Sequence, residues 1–138
     1  MESEEDVYHQ LSAYTLQRGD ATFIHQHVVD AFAAQRADGG TKPIKIAFSL
    51  AGLYLHVEQG YSGRQVQLAH MQLARRKRTW PTFVLPLHRG AMTVFEVMAQ
   101  PPGAERDGAI HDWSVSVWDA FAGNRDAMVE FLRPYGLV

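Results

Sequence analysis

Apolar positions recur along this chain at spacings of three and four, the period of a helix buried on one face. Strict alternation, the mark of a half-buried strand, is almost missing. The pattern predicts a first helix over about 4–17, with Val7, Leu11 and Tyr14 inward and Tyr8 and Thr15 beside them. Arg18-Gly19-Asp20 ends it, because glycine suits the position after a helix and Asp20 is a good N-cap for the next. A second helix is expected from about Ala21 to Ala37, stopped by Asp38-Gly39-Gly40. Thr41 would cap a third over 43–59, with Pro43 in its first turn, where a missing N–H costs nothing. That helix is apolar around most of its circumference, as the central helix of a bundle is. Gly60 closes it, and Ser62 caps a fourth reaching about Arg78.

From Thr79 to Met92 the periodicity stops. Trp80-Pro81 and Leu85-Pro86 break helices, and Phe83-Val84-Leu85 could be extended. The stretch from Trp80 to Met92 therefore reads as an irregular, aromatic-anchored connection across the bundle. Thr93-Val94-Phe95-Glu96 has the form of a capping box and opens a short helix ended by Pro101-Pro102-Gly103. A long helix follows from about Ala104, with Ile110, Trp113, Val117 and Phe121 on one face. After Gly123-Asn124 a last turn or short helix carries Met128, Phe131 and Leu132. The predicted fold is all-α: one domain over residues 1–138, a bundle of about six helices.

Composition changes this picture little. The chain has 138 residues, 46% hydrophobic and 20% charged, enough to bury a core without staples. It contains no cysteine, which excludes disulfides and thiolate metal sites and fits a reducing compartment. No apolar run approaches the roughly 18–20 residues of a membrane span. The N-terminal Met1-Glu2-Ser3-Glu4-Glu5-Asp6 is acidic, unlike the basic start of a signal peptide. A cytoplasmic domain without membrane contact is expected. The net charge of −2 gives no general attraction for nucleic acid. Arg75-Arg76-Lys77-Arg78 lies where cations offset a helix dipole and comes without a nucleic-acid motif. No phosphate-binding, dinucleotide or nucleophile–base motif occurs.

Candidate chemistry rests on polar residues where a helical core should be apolar. His27 falls on the inward side of the second helix, with Asp30 three residues on to orient or charge it. His25 points about half a turn away, so His25 and His27 make a poor chelate. His56 shares a polar line with Lys45, Ser49, Gly52 and Gln59, either a water-facing edge or the lining of a cavity. Glu58 stands at a helix C-terminus, where the dipole disfavours an anion, and Arg64 is its nearest partner in sequence. His70 lies on the inward stripe of Val66, Ala69 and Leu73. Two readings follow for His27, Asp30, His56, Glu58 and His70. In the simpler one they are satisfied structural groups, and the domain binds a small molecule or a protein, including another copy of itself. Trp80, Phe83, Trp113 and Trp118 would then be its anchors. In the other, histidines of the second, third and fourth helices converge on a transition metal, with His27, His70 and Glu58 as candidate ligands, or form a small active site. No HExxH, ExxH or HxxxH pair on one helix announces such a metal.

Three blocks carry a resemblance: His25-Gln-His27-Val-Val-Asp30-Ala-Phe-Ala-Ala-Gln35, Gly52-Leu-Tyr-Leu-His56-Val-Glu58-Gln-Gly60 and Trp113-Ser-Val-Ser-Val-Trp118-Asp-Ala120. With Trp80-Pro81-x-Phe83 and Thr93-Val94-x-Glu96-Val97 in the same order, the chain resembles a bacterial family of domains of unknown function. The resemblance spans about residues 8–121 and implies one helical domain, with His27, Asp30, Gln35, Gly52 and Glu58 in its most recognisable blocks. It implies no activity or cofactor. Relatives carry cysteines near the N-terminus where this chain has none, with Ser12 in that region, so a metal role for those cysteines does not transfer.

Overall fold

The computed structural model describes residues 1–76 and 79–138 and is all-helical, without a strand among those residues. Among the described residues seven α-helices follow one another: α1 Glu4–Gln17, α2 His25–Gln35, α3 Pro43–Val57, α4 Gly63–Ala74, α5 Val94–Ala99, α6 Ala104–Phe121 and α7 Arg125–Leu132. Single 3₁₀ turns, Ala122–Asn124 and Arg133–Tyr135, flank α7. Helix α3 is central and packs against α2, α4, α6 and α7. Every residue from Ser49 to Leu55 is buried, which is what its nearly all-round apolar sequence requires.

Local chemistry sets most boundaries. Ser3 with Asp6, Ser62 with Gln65 and Thr93 with Glu96 form capping boxes that start α1, α4 and α5. At the end of α3, Gly60 takes φ +73° and the Tyr61 N–H donates to the Leu55 carbonyl at 3.0 Å, a Schellman-type closure. One expected start moves and one expected cap is replaced. Helix α2 begins at His25 rather than Ala21, because Asp20 accepts from the Thr22 hydroxyl and its carbonyl accepts from the Phe23 N–H. Those bonds close a turn in which Phe23 adopts φ +52°. Thr41 does not cap α3: its hydroxyl is engaged with Asp38, and Lys42 occupies the cap ahead of Pro43. Helices α2 and α3 also stop two residues short of Ala37 and Gln59. Helix α4 ends at Ala74; Lys77 and Arg78, the last part of its expected span, lie outside the described residues.

Residues 79–92 form the expected irregular strap. Asn124 clamps it, accepting from the Val84 N–H at 2.7 Å and donating to the Val84 carbonyl at 2.8 Å. Arg89 donates to the carbonyls of Ala34, Gln35 and Ala37, at 2.6 Å for the last, and so caps the end of α2. Gln35 answers by donating to the carbonyls of Arg89 and Met92 and accepting from the Trp113 indole. Phe83, Trp113 and Trp118 are buried and Trp80 is half-buried against Phe48 and Phe131. Of the aromatics expected as anchors for a partner, Phe83, Trp113 and Trp118 belong to the core and Trp80 packs against it.

Candidate functional site

The five polar residues separate into three places. Asp30 and His70 line one cleft, His27 and His56 another, and Glu58 neither. Glu58 accepts from the Trp118 indole at 2.7 Å and from Arg125 at 2.7 Å. It does not pair with Arg64, whose guanidinium donates to Gln67. An indole and a guanidinium from α6 and α7 thus answer the unfavourable end of the α3 dipole.

The first cleft, about 240 Å³, opens between α2, α3 and α4, with Gln26, Asp30, Lys45, Ser49 and His70 as its polar lining. Val29, Ile44 and Phe48 supply apolar wall. Asp30 stays 3% exposed because Gly52 of α3 has no side chain: a Cβ there would lie 1.9 Å from Asp30 Oδ2. Oδ1 accepts from Gln26 Nε2 at 3.1 Å, whereas the buried Oδ2 meets no hydrogen-bond partner. Burial drives the Asp30 pKa well above the usual carboxylate range, against the smaller opposing effect of Gln26. Burial thus favours the protonated form of this carboxyl. Asp30 does not serve His27, its neighbour in sequence; it turns towards α3.

His70 donates from Nε2 to the Phe48 carbonyl at 2.8 Å and stacks on the Phe48 ring, centroids 5.0 Å apart. A carbonyl only accepts, so the proton is on Nε2 and Nδ1 carries the lone pair. Burial lowers the His70 pKa, offset in part by that bond. The Ser49 hydroxyl donates to the Ile46 carbonyl and keeps acceptor capacity.

The second cleft, about 160 Å³, gathers His27 from α2, His56 from α3 and His111 from α6 beside Ser62 and Gly63 at the start of α4. The loop before α2 closes over it: a Cβ on Gly63 would lie 1.8 Å from the Phe23 carbonyl oxygen, and the Arg64 N–H donates to Thr22 at 2.8 Å. The His27 and His56 rings stack with centroids 3.5 Å apart, and His111 Nδ1 lies 3.1 Å from His56 Nε2. Burial first, then repulsion by His56 and His111, lowers the His27 pKa to about 3. His56 is lowered too, mainly by burial. His25, by contrast, bonds Thr15 of α1 through Nδ1 at 2.9 Å.

His27, His70 and Glu58 thus do not surround one point, and the expected three-helix metal set is not assembled. Among the described residues no group of three or more His, Asp or Glu side chains is disposed to hold a metal ion. His111 was not singled out by the sequence. The signal lay in its i, i+4 relation to Asp107, since both line the second cleft. A wider open groove, about 780 Å³, runs along Pro86, Leu87, Ser116 and Asp119, and none of the residues lining it is a buried titratable group.

Residues 5–122 match the model of a family described as "Family of unknown function (DUF5946)", and the chain belongs to that family. No curated protein and no solved structure matches it.

Proposed function

We propose that this chain is a ligand-binding helical domain whose cleft between α2, α3 and α4 takes a small carboxylic acid with an apolar body. The observation that carries this reading is the Asp30 carboxyl, wholly buried at the cleft, with one oxygen unpartnered. Burying a polar group without a partner costs about 1–3 kcal/mol, and such groups concentrate at functional sites. Burial raises the Asp30 pKa and so disfavours a negative charge beside an anionic ligand. Lys45, exposed at the rim, is the one permanent cation among the residues lining the cleft and would pair with a carboxylate. Ile44 and Phe48 offer apolar wall, and His70 Nδ1 and Ser49 Oγ offer acceptors for a hydroxyl or amide donor. Asp30 also fixes Gln26, whose amide lines the same cleft.

Saturation-transfer NMR with a panel of aromatic and branched-chain carboxylic acids, each beside its methyl ester, tests this. Acids are expected to bind and their esters to bind more weakly. Lys45→Gln and His70→Ala should each weaken binding about tenfold, the effect of one lost polar contact of about 1.4 kcal/mol. A panel with no binder at millimolar concentration, or binding indifferent to both substitutions in folded protein, would overturn the proposal.

A further inference from the structure

The imidazoles of the second cleft play no part in that reading, and they sit where a metal's first ligands would. His56 Nδ1 lies 2.8 Å from the Tyr61 carbonyl, which only accepts, so that nitrogen holds the proton and Nε2 holds the lone pair. Ligating histidines are oriented in this way, by donating the other ring N–H to a backbone carbonyl or carboxylate. His111 Nδ1 faces the same Nε2 at 3.1 Å. Two nitrogens at the usual 2.0–2.1 Å from a tetrahedral ion stand roughly 3.3 Å apart, so this pair needs to part by only a few tenths of an ångström.

We propose that His56 Nε2 and His111 Nδ1 together bind a divalent late transition-metal ion, with solvent completing its coordination. The His27 ring, stacked 3.5 Å from His56, forms the wall behind it. In the free protein His111 donates its Nδ1 proton to His56. When the ion enters, that proton moves to His111 Nε2, so a neutral pair binds without net proton release. His111 is exposed and free to make this adjustment, whereas His56 is held by Tyr61. Asp107, one turn before His111, lines the cleft, its carboxylate tied to Tyr14 and Arg18. Imidazole pairs favour zinc, nickel and copper over magnesium or calcium, which prefer oxygen.

The test uses the full chain without a histidine tag, titrated with Cu²⁺ and, separately, Zn²⁺. One equivalent should bind at micromolar concentration, with the Cu²⁺ EPR spectrum showing coupling to two imidazole nitrogens. His111→Ala, at an exposed position that leaves the core intact, should weaken binding tenfold or more and abolish the rise in melting temperature that Zn²⁺ gives the parent. His9→Ala and His88→Ala, which alter exposed histidines elsewhere, should change nothing. Undiminished affinity in His111→Ala, or loss on substituting His9 or His88, would mean an adventitious ion only and would overturn the proposal. Neither result bears on the carboxylic acid cleft, whose variants are different residues.

Discussion

Asp30 and Gly52 form one steric unit, one supplying the carboxyl and the other the space it fills. With a Cβ predicted 1.9 Å from Oδ2 and 2.5 Å from Cγ, Gly52→Ala cannot be absorbed without moving α2 from α3. The substitution should destabilise the fold by about 1–3 kcal/mol, the usual cost of overpacking a core. Asp30→Ala removes the obstacle, so adding Gly52→Ala to it should cost far less than Gly52→Ala alone. Urea denaturation of the four proteins measures this as a coupling above about 0.5 kcal/mol; additive effects would mean that the two residues do not share the space. Helical spacing was enough to mark Asp30 as misplaced polarity, but it paired the residue with His27. The missing information was the absent side chain of Gly52 on another helix, which no periodicity displays. Glu58 was misassigned for a related reason: its partners Trp118 and Arg125 are 60 and 67 residues away in sequence.

At the level of elements, most helix starts were legible because capping is local chemistry. Thr93 and Glu96 are three residues apart, and so are Ser62 and Gln65. Asp20 and Thr41 misled because the same side chains also stabilise turns, and the turn won at both. The strap was legible as an interruption, through its prolines, but not by what fastens it. Arg89 gathers three carbonyls at the end of α2 while its guanidinium stacks over Phe121, 5.5 Å from the ring centroid. Charge-assisted hydrogen bonds of this kind are worth about 1.5–3 kcal/mol each, though shared donors do not add fully. Arg89→Ala should therefore destabilise the protein by about 2–3 kcal/mol, and Arg89→Lys should restore little, since one ammonium lacks the planar fork. Hydrogen exchange should quicken in residues 79–92 and the last turn of α2, leaving the start of α4 protected. A uniform loss of protection would mean that the strap is not an independently tethered unit.

Over the whole molecule, burial disfavours the charged forms of interior side chains, and this sets the response to pH. His25, His27, His56 and His70 all have pKa values below 6.5, burial being the first cause for each. Unfolded, they take up protons near 6.5; folded, they resist, in His27 down to about 3. The unfolded state binds more protons through that window, so stability falls as the pH drops below about 6.5. Asp30 acts in the opposite sense: above 3.8 its folded form keeps a proton that the unfolded chain releases. Its contribution to stability therefore declines as pH rises towards its raised folded value, by up to about 1.4 kcal/mol per pH unit. The imidazoles and the carboxyl therefore act in opposite senses, and removing the carboxyl separates them. Urea denaturation between pH 4.5 and 9 should show stability lost on acidification, and Asp30→Asn should steepen that loss by removing the opposing carboxyl. An unchanged pH profile in Asp30→Asn would show that burial does not raise the carboxyl's pKa, and would remove the electrostatic reason for the Asp30 cleft to accept an anion.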